Sequence, residues 1–295
     1  MNVSTFSRKL TGKGDQPRPR AAYALPTLFT AGNIFLGFLS ITRSVQGALL
    51  AASGYHGPNT HFEVAALSIG WAVLLDGLDG RIARLTNTVS EFGREMDSLA
   101  DVITFGIAPA VLAYTWGVQV GSSTADVFFR DHLRQLGYFI PFLFLLCGAA
   151  RLARFNIQKN PVPKNPGRAD RKYFVGLPIP AGAAMVASLV YALDGTPIQS
   201  WPASVAWLAL LAMLAFLMVS TWRYQSFKDI QLLRPRSPLT VVGLGSLIYL
   251  LWTYTEPVLL AITTGYVLSG IVIRAGGVIR RRLRHAPSAP EHQIG

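Results

Sequence analysis

Apolar residues dominate this chain in runs of about 17 to 25, the length a helix needs to cross a bilayer core of about 30 Å at 1.5 Å per residue. Eight runs are predicted, at about residues 25–49, 62–82, 97–119, 135–155, 175–193, 201–221, 238–254 and 257–274. The pattern predicts an all-α fold, a polytopic integral membrane helix bundle of about eight transmembrane helices. The seventh and eighth runs meet at "TEP" and the division between them is the least marked. Short polar breaks, "GYHGPNTH" and "DGTPIQS", read as turns, while "GSSTADVFFRDHLRQ" has room for an interfacial helix. Prolines 178 and 180 are expected to start or kink the fifth run.

Composition supports the membrane reading. Of 295 residues 51% are hydrophobic and 14% charged, against about 25% charged in soluble domains. Cys147 is the single cysteine and lies in an apolar run, so no disulfide forms within the chain, and a small buried hydrophobe is expected there. Histidines 56 and 61 fall in an outer loop, where a metal role is not expected.

The net charge of +12 is distributed rather than compact. Basic residues fall between apolar runs without a basic, aromatic-interleaved domain, so membrane lipids and not nucleic acid are the expected partner. The N-terminal stretch, the 81–94 and 151–172 connections, the 223–236 connection and the chain from Arg274 onward hold 24 of the 27 Lys and Arg residues. This alternation puts both termini on the cytoplasmic side of the inner membrane, with an even number of crossings. Eight crossings satisfy it, as do six with two re-entrant segments. Residues 1–22 have no apolar core of a secretory signal and are expected to be a disordered basic tail, as is 275–295.

Candidate chemistry concentrates in "WAVLLDGLDGRIARLTNTVSEFGREMDSLADVITFGIAP", residues 71–109. Asp76 and Asp79 are three residues apart, Asp97 and Asp101 four apart, so each pair shares one helix face. Carboxylates in a bilayer are costly and rare outside functional sites. One pair ends the second run and the other opens the third, so four carboxylates are expected to converge at the cytoplasmic boundary. Crowded together, they need cations. Oxygen donors without His or Cys suit Mg²⁺ or Mn²⁺, ions that near a membrane surface commonly serve phosphate chemistry. Gly80, Ala83 and Gly93 are small enough to admit a phosphate or nucleotide close to backbone, and equally suited to tight helix packing. Arg81 and Arg84 fit either phosphate binding or interfacial anchoring.

These residues resemble a known pattern. "DGLDGRIARLTNTVSEFGREMDSLAD" is similar to the signature of the CDP-alcohol phosphotransferase family, D-x2-D-G-x2-A-R-x8-G-x3-D-x3-D, with Asp76, Asp79, Gly80, Ala83, Arg84, Gly93, Asp97 and Asp101 in register. Further stretches, "LPTLFTAGNIFLGFLSI", "MDSLADVITFGIAPA", "ARLARFNIQ" and "KYFVGLPIPAGAAM", resemble that family's membrane-integral phosphatidylserine synthase branch. The likeness covers about residues 25–190. It implies a catalytic bundle at 23–194 with additional transmembrane helices at 195–274, and a homodimer.

The implied reaction transfers the phosphatidyl group of CDP-diacylglycerol to the hydroxyl of L-serine, releasing CMP. The likeness makes Asp76, Asp79, Asp97 and Asp101 metal ligands, with Asp97 and Asp101 catalytic and Asp101 the general base. It puts Gly80, Ala83, Arg84 and Gly93 on the nucleotide side. Thr30 and Asn33 in the first run suit nucleotide contact or a helix–helix hydrogen bond. Arg151 and Arg154, near Asn156, offer a guanidinium to the serine carboxylate or snorkel to lipid phosphates, with Lys172 a weaker candidate. Lipid access is expected between helices.

Two other readings remain. The same chemistry can serve glycerol 3-phosphate, inositol phosphate or choline, and "KNPGRADRK" would supply basic residues for a phosphorylated acceptor. A cation transporter or channel would also use intramembrane carboxylates, but near mid-membrane; clustering toward one surface beside arginines suits a headgroup enzyme better.

Overall fold

The computed structural model describes residues 21–86, 91–121, 127–159, 173–225 and 238–284; among the candidate site residues, the side chains within 79–86 fall outside that description. Each predicted run falls on a helix. In chain order these are α1 (Ala21–Ala52), α2 (Thr60–Thr86), α3 (Glu91–Asp101), α4 (Ala108–Gly117), α5 (Val127–Lys159), α6 (Ile179–Ala192), α7 (Trp201–Val219), α8 (Pro238–Thr253) and α9 (Thr255–Arg284). A π-helical turn, Val102–Ile107, fuses α3 to α4, so Glu91–Gly117 is one continuous crossing.

Among the described residues six stretches are long and apolar enough to cross a membrane: Leu28–Ala52, Thr60–Leu78, Glu91–Gly117, Phe129–Ile157, Trp201–Val219 and Thr255–Arg274. The chain is therefore an integral membrane protein of helical architecture. The helices α6 and α8 are shorter, with 14 and 16 residues, or about 21 and 24 Å. Large apolar side chains such as Phe35, Phe38, Trp71, Phe142 and Trp252 stay exposed on the outside of the bundle, as a hydrocarbon solvent allows.

Three boundaries differ from the pattern-based expectation. The all-α architecture carries one small addition, β1 (Tyr173–Val175) and β2 (Arg223–Gln225), which pair antiparallel with Phe174 opposite Tyr224. Pro178 is the cap before α6 and Pro180 lies in its first turn. Residues before a proline disfavour helix, so α6, the helix of the fifth run, starts at Ile179 and the segment ahead of it pairs its amides elsewhere. Gly176 N–H donates to the Trp222 carbonyl at 2.8 Å and Leu177 N–H to the Leu217 carbonyl at 3.0 Å. At the C-terminal end, α9 runs to Arg284, well past the expected start of a disordered tail at 275. Apolar character ends near Arg274, but arginine is a good helix former and carries the helix on. At the other end α1 begins at Ala21, inside the expected tail.

Packing rests on small residues at crossings, as is usual between membrane helices. A Cβ on Gly47 would lie 2.9 Å from the Phe62 ring, and one on Gly106 would lie 2.7 Å from the Leu145 side chain. The core gathers Phe62, Ile69, Phe105, Leu112, Trp116 and Leu211. Trp207 meets Trp116 edge to face at 5.0 Å and its indole N–H donates to the Ala113 carbonyl at 2.9 Å, which binds α7 to α4. Cys147 packs against this core with a free thiol.

Buried Asn59 organises the end of the bundle away from the aspartates. Its side-chain amide donates to the Gly47 carbonyl, its Oδ1 accepts from His61 N–H at the start of α2, and its N–H donates to the Asp194 carbonyl. The imidazole Nδ1 of His61 lies 3.3 Å from Arg43 Nη1, and the His56 carbonyl accepts from Gln199.

Candidate active site

Asp76 lies two residues before the end of the apolar stretch of α2. The helix α3 packs on α1, and its amphipathic sequence, with Asp97 and Asp101 a turn apart, leaves Phe92 and Leu99 exposed. Carboxylate oxygens of Asp76, Asp97 and Asp101 lie within 4.8 Å of one another. All three residues are half-buried, with Oδ1 of Asp101 sealed from solvent. Three of the four expected acidic ligands therefore converge. The Asp79, Arg81, Ala83 and Arg84 side chains and the surroundings of Gly80 lie outside the described residues, although their backbone continues α2.

The donor set fits a hard divalent cation. An ion held at about 2.1 Å from oxygen requires ligands no more than about 4.2 Å apart, within a small side-chain adjustment of what these carboxylates have. Their charges repel until such an ion neutralises them.

The π-helical turn begins directly after Asp101 and was not foreseen. Its geometry is set by the wider i→i+5 bond, seen in Ala108 N–H donating to the Ile103 carbonyl, a form often found at functional sites. The turn presents Thr104 to α1, where its hydroxyl donates to the Asn33 carbonyl at 3.0 Å. A Cβ on Gly37 would lie 2.7 Å from Thr104 Oγ1, so only glycine lets the backbones approach this closely. Thr30 and Asn33 are both buried, Asn33 to 3% exposure. The side-chain Oδ1 of Asn33 is sealed and has no hydrogen-bond partner among the described residues. A buried orphan acceptor is costly. Gly93 is half-buried in the first turn of α3.

The two arginines of α5 separate. The guanidinium of Arg154 donates to the Val219 and Val175 carbonyls at 3.3 and 3.5 Å, joining α5 to the end of α7 and to β1. Arg151 turns inward, is only 8% exposed, and its Nε has no hydrogen-bond partner among the described residues. It lies within electrostatic reach of Tyr266, Arg154 and Asp101. A snorkelling side chain keeps its head group in water; Arg151 does not. Lys172 and "KNPGRADRK" lie outside the described residues.

One tie escaped sequence reasoning altogether. The side-chain amide of Asn156 donates to Ser98 Oγ at 2.8 Å, joining the arginine-bearing helix to the acidic one beside Asp97. No local signal pairs residues 58 positions apart. An apolar groove also opens between α1 and α2, lined by Leu28, Phe29, Ala31, Gly32, Phe35 and Leu75. It runs up to the residue preceding Asp76.

Comparison with known proteins bears on this geometry. The sequence profile of the CDP-alcohol phosphatidyltransferase family matches residues 23–222. The chain belongs to this family. All of the acidic site, Asn33, Arg151 and Arg154 fall inside the matched stretch, whereas α8 and α9 fall beyond it. The chain is 39% identical over 210 residues to a CDP-diacylglycerol–serine O-phosphatidyltransferase of Helicobacter pylori, covering 71% of this chain and 75% of that one. It is 38% identical over 159 residues to the Saccharomyces cerevisiae protein of the same name, covering 54% and 50%. It is 36% identical over 167 residues to an archaetidylserine synthase of Methanothermobacter thermautotrophicus, covering 56% and 57%. As a family member, the chain has a place ready for the phosphate chemistry that the converging carboxylates can support.

Proposed function

We propose that this chain is a CDP-diacylglycerol–serine O-phosphatidyltransferase, a phosphatidylserine synthase. The convergence of Asp76, Asp97 and Asp101 within 4.8 Å carries the chemistry, and the names of the relatives carry the choice of acceptor. The serine hydroxyl attacks the phosphorus that bears diacylglycerol. A new P–O bond forms, the pyrophosphate P–O bond breaks, and CMP leaves.

The metal ligands are Asp76, Asp79, Asp97 and Asp101. A bound Mg²⁺ or Mn²⁺ supplies charge stabilisation for the pyrophosphate and the departing CMP. Asp101 takes the proton of the serine hydroxyl, an alcohol too weakly acidic to react unaided at neutral pH. Gly80, Ala83, Arg84 and Gly93 line the nucleotide side, joined by Thr30 and Asn33, whose buried side chains support that role. Arg151 receives the serine carboxylate, a reading supported by its burial and its open Nε. Arg154 contributes by holding α5, α7 and β1 together. The groove between α1 and α2 offers an acyl chain a path from the hydrocarbon to Asp76.

The proposed topology has both termini and the active site on the cytoplasmic side, with α6 and α8 crossing as the shorter of eight helices. The gathering of Lys and Arg in every second connection and at both ends, and so on one side, supports it. The catalytic bundle spans 23–194, helices to 274 accompany it, and the working form is a homodimer.

Purified protein supplied with CDP-diacylglycerol, L-serine and Mn²⁺ or Mg²⁺ is expected to release CMP and form phosphatidylserine. No CMP above a serine-free control overturns the proposal. Turnover with glycerol 3-phosphate, inositol phosphate or choline in place of serine would move it to another acceptor.

A further inference from the structure

The stretch that matches the family ends at residue 222. Directly after it, β2 carries Tyr224, whose side chain is fully buried. The end of its phenol ring fills a notch at Gly270 of α9, where a Cβ would lie 2.7 Å from the Tyr224 hydroxyl oxygen and closer still to the ring. Tyr266 flanks the same ring, with centroids 5.7 Å apart. The hydroxyl reaches the Val267 carbonyl only at 3.5 Å, too long for a strong bond, so the ring makes the seat. The helix α9 is itself fixed to α6 by a 2.8 Å hydrogen bond between the Thr263 and Ser188 hydroxyls.

From Tyr224 a run of contacts leads to the acidic site. Tyr224 stands opposite Phe174 of β1, and Arg223 opposite Val175. Gly176, left-handed at φ 79°, bends the chain so that its N–H donates to the Trp222 carbonyl at 2.8 Å. The carbonyls of Val175 and of Val219, the last residue of α7, accept from the Arg154 guanidinium of α5, and the helix dipole favours a cation at the end of α7. Two residues on, the Asn156 amide donates to Ser98 Oγ at 2.8 Å. Ser98 adjoins Asp97, and its own hydroxyl donates to the Arg94 carbonyl at 3.0 Å.

We propose that Tyr224 is a positioning residue for metal binding. Seated at Gly270, it holds the two-stranded ribbon, and through Arg154 and Asn156 the ribbon holds α3 with Asp97 and Asp101 against Asp76. The carboxylates repel one another until a cation arrives, so α3 is pushed away from Asp76 unless something retains it. A clasp that retains it pre-organises the site, and pre-organisation is read as affinity. A helix outside the family-matched stretch thereby sets how tightly the site takes its ion. The proposal rests on the reading of these aspartates as a divalent-cation site.

The test reads Mn²⁺ binding directly, from the loss of the free-ion EPR signal on titrating metal-stripped protein in detergent, with CMP release measured beside it. Tyr224→Leu empties the notch and Gly270→Ala fills it. Each is expected to weaken Mn²⁺ binding about three- to thirtyfold, the span of couplings carried through packed contacts. At saturating Mn²⁺ the kcat should return to within about threefold of the parent, because mass action restores the bound geometry. A variant that had merely lost folded protein would lose kcat at every Mn²⁺ concentration and keep the parental affinity. Tyr224→Phe keeps the ring and should bind Mn²⁺ like the parent. In an Asn156→Ala background, where the run of contacts is already cut, Tyr224→Leu should weaken binding no further, whereas independent distant sites would add. Parental Mn²⁺ affinity in Tyr224→Leu overturns the proposal, as does an additive loss in the double variant or an equal loss in Tyr224→Phe. A parent that binds no Mn²⁺ overturns the metal reading and this proposal together. A parent that binds Mn²⁺ without serine-dependent CMP release overturns the transferase reading alone.

Discussion

Thr104 Oγ1 donates a hydrogen bond to the main-chain carbonyl of Asn33 at 3.0 Å, across a contact where a Cβ on Gly37 would lie 2.9 Å from the Thr104 backbone. This is where the turn following Asp101 locks onto α1. Gly37→Ala should push the two backbones apart and cost about 1–3 kcal/mol, as overpacking typically does. Melting in detergent should show a lower Tm, and turnover should fall with it, because the displaced turn directly follows Asp101. Thr104→Val should cost about 1 kcal/mol through loss of one hydrogen bond. A Gly37→Ala protein with parental Tm and kcat would show that the contact does not set the site.

The acidic residues should separate by role. Asp101→Asn keeps size and removes the base, so kcat should fall about 10²- to 10⁴-fold while nucleotide and metal binding persist. Asp97→Ala should weaken metal binding as well, seen as a rise in the Mn²⁺ concentration for half-maximal rate. Chelation of divalent ions should abolish turnover in the parent, and added Mn²⁺ or Mg²⁺ should restore it. Full activity in Asp101→Asn removes that residue from the proton transfer.

Asn156 and Ser98 can be tested as a pair, since their 2.8 Å bond joins α5 to α3. Each alanine variant should lower kcat/KM several-fold, and the double variant should lose little more than either alone. A coupling energy of about 1 kcal/mol is expected from a double-mutant cycle. Additive losses would mean that the bond does not position the acidic helix.

Trp207 provides a contrast far from the chemistry. Its indole N–H donates to the Ala113 carbonyl and its ring abuts Trp116. Trp207→Phe leaves that buried arrangement short of one donor and part of its aromatic contact. A loss of about 1–3 kcal/mol is expected, read as a lower Tm with kcat and serine KM unchanged in the folded protein.

Much of the candidate site was legible because its parts are close in sequence. Asp97 and Asp101 are one turn apart, and a helix alone puts them on one face. The fold-back from Asp76 follows from two long apolar runs joined by a short polar link. The buried arginine was legible only as one of two. Periodicity treats Arg151 and Arg154 alike, three residues apart, and the difference comes from what surrounds them: Arg154 meets the Val219 and Val175 carbonyls, whereas Arg151 is enclosed. Hydropathy also misjudged ends. It lost α9 where apolar residues stop, and it drew Val175, the last residue of β1, into the fifth run because that residue is as apolar as a span.

The order of apolar runs, the sign of the connections and the spacing of the aspartates determined a helical membrane bundle with an acidic site at one face. These are local properties, governed by the cost of polar groups in hydrocarbon and by helical period. Tertiary structure alone decided that a π-helical turn follows Asp101, that Asn156 reaches Ser98, and that Tyr266 of a distant helix stands beside Tyr224. Such contacts depend on how helices rotate and how closely they approach. That is settled by complementary packing between segments far apart in the chain, at glycines 37 and 270 among others.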